Sequence, residues 1–206
     1  MVDVGAAGRV DGRSARAERT RGAIVEALLA LNHEGDLKPT GERIAERAGV
    51  SLRALWANFK DMEALFSAAG QRLLERQDAE YRKISPQLPL KRRVDEFCRQ
   101  RARMLEIVAP SARAAQLREP FSAALRYSRA TNIAWVRRQI EELFAVELDL
   151  TGQGREQLFN ALTVTCTWSA WSMLRDELEL DPDAAQGVMV ATMTALLAAA
   201  GTAGLR

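Results

Sequence analysis

An all-helical fold follows from three features of this 206-residue sequence. Only 6 prolines and 13 glycines punctuate it, apolar residues between them recur three and four apart almost everywhere, and no sustained apolar/polar alternation marks a strand. With 48% apolar and 27% charged residues, the chain has the make-up of an ordinary folded protein, neither disordered nor fibrous. Its length holds one sizeable core, or a small domain joined to a larger one.

Residues 1–15 are rich in Gly, Ala, Asp and Arg and show no periodic face, so a flexible basic arm is expected there, with ordered structure from Arg16. The first helix carries Ile24, Ala27, Leu28 and Leu31 on one stripe and ends at Asn32-His33-Glu34-Gly35. A short second helix follows Thr40, carries Ile44, Ala45 and Ala48, and stops at Gly49, the residue type that readily takes the left-handed conformation after a helix. Ser51 can cap a third helix of about two turns bearing Leu55, Trp56 and Phe59. A long fourth helix is expected over residues 61–83, with Asp61 as its cap, Glu63 at the positive end of the dipole, and Ala64, Leu65, Ala68 and Leu73 inside.

Ser85-Pro86-Gln87-Leu88-Pro89 then breaks the chain, because its two prolines cannot continue helical hydrogen bonding. Beyond the break the pattern predicts helices over residues 90–108, stopped by Pro110, over 111–118, and over 120–146 with Pro120 in the first turn. Two strongly apolar helices follow, over residues 155–178 after Gly152-Gln153-Gly154 and over 183–199 after Asp181-Pro182-Asp183. That makes nine helices, in an arm (residues 1–15), a head with its connecting helix (16–85) and a helical body (86–206).

Residues 40–48 and 51–59 are two short helices joined by about three residues with glycine at the bend, a helix-turn-helix signature. In such a motif the second helix projects side chains into the major groove, while the first offers amide protons and a hydroxyl to a phosphate. Gly49-Val50-Ser51, then Ala54-Leu55-Trp56, then Phe59, then Glu63-Ala64-Leu65 resemble the TetR family of bacterial transcriptional regulators, whose pattern reads Gly-Val-Ser, Thr-Leu-Tyr, Phe and Lys-Glu-x-Leu. The resemblance is specific over residues 19–74 and continues beyond them only as helix order and length. Trp56 stands where the family has tyrosine, and Met62 where it has a phosphate-binding lysine. Methionine cannot pair with phosphate, which moves that expectation to Lys60.

The resemblance implies double-stranded DNA carrying a pseudo-palindromic operator as the partner. Thr40 and Arg43 are then expected on backbone phosphates, with Ser51, Leu52, Arg53, Trp56, Ala57 and Asn58 lining the groove-facing side of the third helix. Arg53 is the candidate for base readout, since its planar fork pairs with both acceptors of guanine, a contact worth about 1–3 kcal/mol of discrimination. Leu52 suits a thymine methyl, whereas Leu55 and Phe59 belong to the core of the head. An exposed arginine can also be nothing more than solvated charge, and the sequence leaves that alternative open for Arg53.

Lys+Arg 29 against Asp+Glu 27 gives a net charge of only +2, so a polyanion must be met by local clusters. One cluster is the arm, where Arg9, Arg13, Arg16, Arg19 and Arg21 face only Asp11 and Glu18; a DNA-tracking arm and a solubilising tail both fit it. A single histidine, His33, and two distant cysteines, Cys98 and Cys166, leave no zinc cluster, disulfide framework or catalytic triad. No acid/base or nucleophile constellation follows residue 90, so the expectation is a binding protein without metal or cofactor and not an enzyme. No run of about 18 apolar residues and no secretory signal is seen, which points to the cytoplasm and away from membranes.

The last two predicted helices are apolar on more than one face, as a second burial against another chain requires. In the family they pair as a four-helix bundle, which implies a homodimer with Leu162, Trp168, Trp171, Met193, Leu196 and Leu197 at its interface. The resemblance also implies a cavity for a small-molecule effector within the body. Phe97, Arg101, Met104, Leu105, Gln116, Phe121, Tyr127, Trp135 and Cys166 are its candidate lining, though each serves equally in a plain core. The expected function is a repressor released from its operator by that effector. The alternative is a helical protein–protein interaction module without specific DNA binding.

Overall fold

The computed structural model describes residues 5–203, with side chains over 14–199; residues 1–4 of the expected arm lie outside the described residues. Ten α-helices and no strand occur among the described residues: α1 (Gly5–His33), α2 (Gly41–Arg47), α3 (Leu52–Asn58), α4 (Met62–Glu80), α5 (Leu90–Gln116), α6 (Ala123–Leu143), α7 (Ala145–Leu150), α8 (Arg155–Thr165), α9 (Trp168–Ser172) and α10 (Pro182–Ala203). The fold is all-α, and its partition departs from the nine expected helices at four places.

Residues 5–15 are helical where an arm is expected, because no proline lies among them to stop α1. Once a helix exists, each further residue adds a hydrogen bond for one residue fixed, so extension needs no apolar face. Pro110 does not stop α5, which runs on to Gln116. The residues after the proline, Ser-Ala-Arg-Ala-Ala-Gln, are mostly strong helix formers, and Ala114 is buried. The helix expected over 120–146 becomes a 3₁₀ turn (Glu119–Phe121), α6 and α7; Ser122 caps α6 by accepting from Leu125 N–H at 3.1 Å, and Phe144 leaves helical geometry between α6 and α7. The helix expected over 155–178 breaks at Cys166-Thr167, where the Thr167 hydroxyl oxygen accepts from Ala170 N–H at 3.3 Å and starts α9. A wider turn at Met173–Glu177 closes that helix with Leu178 N–H donating to Met173 C=O at 2.9 Å.

The chain forms two compact units. One comprises residues up to Glu75 together with Pro110–Ser128; the other comprises Arg76–Ala109 and the chain from Arg129 onward. The division thus falls ten residues before the expected boundary at 85, and Pro110–Ser128, expected in the body, belongs with the head. In the first unit Ile24 and Leu28 of α1, Ile44 of α2, Leu55 of α3, Phe59, and Leu65 of α4 close one core. Glu63 ties α6 into it: its carboxylate accepts from Ala124 N–H at 3.0 Å, and this bond, followed by one from the Ser122 hydroxyl, holds its pKa below the ordinary carboxylate value.

In the second unit Phe97 and Leu105 of α5, Ile140 of α6, Leu162 of α8, Trp171 of α9 and Met193 of α10 form the core. This corrects the expected dimer surface, since Leu162, Trp171, Met193 and Leu197 are buried within their own chain and cannot reach a partner. Trp168 and Leu196 are half-buried against the same core. A helix apolar on several faces turns its best-packing row inward first. The residues left outside are Val164, 62% exposed, with Met173, Leu178 and Val188. Among the described residues no helix is long and apolar enough to cross a membrane.

Candidate functional site

Helices α2 and α3 are set by three local devices. Thr40 caps α2, its hydroxyl oxygen accepting from Arg43 N–H at 3.4 Å, and Ser51 caps α3 by accepting from Ala54 N–H at 3.1 Å. Between them Gly49 takes φ +67°, the left-handed conformation, while Val50 N–H donates back to Ala45 C=O and Gly49 N–H to Glu46 C=O, both at 3.0 Å. The third device is a close approach: a Cβ on Gly41 would lie 2.6 Å from Trp56 Cζ2, so the indole rests on the first turn of α2.

The seven-residue α3 divides cleanly. Leu55 is buried and Leu52 half-buried against the head's core, so Leu52 is less available to a thymine methyl than expected. Arg53, Trp56 and Ala57 are exposed, and their spacing of three and four puts them on one face. Arg53 makes no ion pair among the described residues, and α3 contains no acidic residue. Ser51 and Lys60 are exposed at its two ends, Lys60 beside Asp61 at 3.9 Å. Asn58 is corrected: its amide turns back to donate to Ala54 C=O at 2.8 Å, so it serves the helix end and not the exposed face.

Several cations expected on phosphate have partners in the chain. Arg43 pairs with Asp36 at 3.0 Å, and Arg47, which sequence reasoning did not single out, pairs with Glu34. The Thr40 hydroxyl also hydrogen-bonds the Glu42 carboxylate, whose pKa is lowered first by a bond with its own backbone N–H and then by this one. An acid therefore already occupies the first turn of α2, where a phosphate was expected. Arg21, counted in the basic arm, lies over the Phe59 ring at 4.1 Å and donates to Asn58 C=O at 2.6 Å. It clamps the end of α3, a role that no sequence motif announced. Arg16 and Arg19 stay exposed on α1.

The second unit holds two buried arginines with opposite surroundings. Arg93 meets Glu147 in a two-pronged pair at 2.6 and 3.0 Å and donates also to Leu143 C=O at 2.7 Å and Leu88 C=O at 2.9 Å. Arg101, 2% exposed, has only neutral acceptors: Cys166 C=O from Nε at 2.8 Å, and Asn132 Oδ1 from Nη2 at 3.2 Å. The break between α8 and α9 makes the first of these bonds possible. Ala170 N–H goes to the Thr167 side chain, which leaves the Cys166 carbonyl for Arg101. Asn132 Nδ2 continues the network to Gln77 Oε1 at 2.9 Å. Burial, only partly offset by Cys166, pushes the Arg101 pKa down to about 10, so the group stays cationic at neutral pH.

Of the expected effector-lining residues, Arg101 and Cys166 come together here, and Met104 and Leu105 are buried on the same helix. Phe97 lies apart from them and lines a cavity of about 510 Å³ with Tyr81, Ile84, Gln139 and Glu142, and Trp135 packs edge-on against Tyr81 at 5.6 Å. Burial, then the Glu142 charge, raises the Tyr81 pKa there. Gln116, Phe121 and Tyr127 are corrections. They belong to the first unit and are exposed, Phe121 by 90% and Tyr127 by 74%, because the short turn and the start of α6 run along the surface of the head. Gln77, Asn132 and Gln139 were missed, although Gln77 and Gln139 each sit at helical spacing from buried neighbours, the one signal that marked them.

No protein-family profile matches the chain, and no curated protein matches it. A solved structure does match, that of a transcriptional regulator from Rhodococcus sp. Rha1, with a TM-score of 0.66 and 18% sequence identity over 90% of this chain and 97% of that one. At that identity the likeness is one of fold.

Proposed function

We propose that this protein is a sequence-specific DNA-binding transcriptional regulator of the TetR type, a homodimeric repressor released from its operator by a small-molecule effector. The observation that carries the proposal is the face of α3. Arg53, Trp56 and Ala57 stand exposed on a short helix that a glycine bend and two hydroxyl caps hold against α2, with no acid on it to repel phosphate. The shared fold with a solved transcriptional regulator supports a regulator role in general. So does the resemblance over residues 49–65, whose matching positions carry structural roles in the head, since Gly49 makes the turn, Ser51 caps α3 and Phe59 packs in the core.

In this reading Arg53 reads bases, Trp56 and Ala57 contact the groove wall, and Ser51 and Lys60 meet phosphates. Arg43 joins them by exchanging Asp36 for phosphate. Two copies related by a two-fold axis set their recognition helices roughly 34–36 Å apart, one turn of DNA. Footprinting on the DNA flanking the protein's own gene tests this. Two protected half-sites about one helical turn apart are expected; a single protected patch or none contradicts it. The effector acts by binding the DNA-free conformer more tightly, with coupling of about 1–3 kcal/mol.

A further inference from the structure

Arg93 and Arg101 lie two turns apart on α5, both with little exposure, and the chain treats them differently. Arg93 is provided with a carboxylate and two carbonyls, enough to neutralise its charge and engage all three of its guanidinium nitrogens. Arg101 has no carboxylate partner, and nothing among the described residues accepts from its Nη1. The two nearest acids along the helix are engaged elsewhere, Glu96 by Arg92 Nη2 at 3.5 Å and Glu106 by Trp171 Nε1 at 2.8 Å and Arg175 Nε at 2.9 Å. Gln77, 2% exposed and joined to Arg101 through Asn132, likewise keeps an unsatisfied donor, Nε2. A buried cation whose partners are all neutral is costly, and a buried donor without an acceptor adds to the cost.

We infer that Arg101, with Gln77, forms the anion-recognition point of the effector site, and that the effector is a small organic carboxylic acid. Its carboxylate supplies the counter-charge that Glu147 supplies to Arg93, taking Arg101 Nη1 and Gln77 Nε2 as donors. A carboxylate suits this pair because its two oxygens can accept one charge-assisted hydrogen bond from Arg101 Nη1 and one hydrogen bond from Gln77 Nε2. The body of the acid is apolar, because Cys98 and Leu105 lie three and four residues either side of Arg101 and Cys166 lies across from it, all in the unit's core. The assignment deepens the regulator reading and depends on it only for the word effector; the binding chemistry stands on the buried network.

The test is thermal unfolding of the full chain with millimolar hexanoate or benzoate, against hexanamide, benzamide and sodium chloride at the same ionic strength. An acid is expected to raise Tm by about 3–6 °C at roughly a tenfold excess over its Kd, while its amide and chloride do not. Hexanoate against benzoate separates an aliphatic from an aromatic body. Arg101→Met is expected to abolish the shift. If that variant does not fold, Gln77→Leu decides, since it leaves Arg101 on Cys166 and Asn132 and is expected to weaken the acid about tenfold. Acids no better than chloride, amides as good as acids, or an undiminished shift in Gln77→Leu would each overturn the inference. DNA binding followed separately by fluorescence anisotropy distinguishes the two failures. Acid binding without DNA binding sinks the regulator reading alone, and DNA binding without acid binding sinks this one alone.

Discussion

Arg53 stands on the exposed face of α3 without an ion pair among the described residues, so removing its guanidinium takes away the proposed DNA contact and little else. Arg53→Ala is expected to lose about 1–3 kcal/mol of preference for the cognate site over random duplex, at unchanged Tm. Competition anisotropy reads the first number and a thermal melt the second; a fall in Tm with an unchanged preference would make Arg53 structural. Gly41 predicts the opposite pattern. A methyl there meets Trp56 Cζ2 at 2.6 Å, so Gly41→Ala must displace the indole. The expected cost is about 1–3 kcal/mol of stability, measured by urea unfolding, together with weaker DNA binding. The sequence marked Trp56 as a groove residue, and the structure adds that the same ring, 40% exposed, holds α2 and α3 together.

At the scale of elements, Glu63 links the start of α4 to the start of α6. Its pKa is lowered in the folded state, so the charged form contributes stability that is fully present above the ordinary value of 4.5 and is lost as pH falls through the lowered one. Glu63→Gln is therefore expected to be less stable than wild type at pH 7, with the gap closing as pH falls below 4.5; an equal gap across that range would rule out a role for the carboxylate charge. Helix ends governed by local chemistry were legible in the sequence. Thr40, Gly49, Ser51 and Asp61 all stand where their side chains or backbone predicted, Asp61 accepting from Ala64 N–H at 2.8 Å. Ends set by longer-range packing were not. Pro110 is overridden by the helix formers that follow it, and the break at Cys166-Thr167 is held by Arg101, 65 residues away.

For the whole molecule, the sequence placed the two short helices and the glycine turn between them but not the partition into units or the inward face of α8 to α10. The reason is common to both. A helix apolar on several sides does not announce which row meets its own chain, and Leu162, Trp171 and Met193 proved to be core. The exposed row offers the better probe of dimerisation. Val164→Glu and Val188→Asp are expected to shift the protein from dimer to monomer in sedimentation velocity with helix content retained, whereas a wild type that is already monomeric at micromolar concentration would remove the two-fold arrangement. Arg101 was named among the candidate effector-lining residues; its lack of a counter-ion was not legible, because that depends on what α4, α6 and the α8–α9 break bring to it.

The most direct test of the central claim, that α3 reads DNA, is the ratio of affinities for the DNA flanking the protein's own gene and for random duplex of equal length, measured by anisotropy at about physiological salt, where the Debye length is roughly 8 Å. A preference of about a thousandfold or more is expected, and it falls in Arg53→Ala. Equal affinity for the two duplexes would contradict the claim.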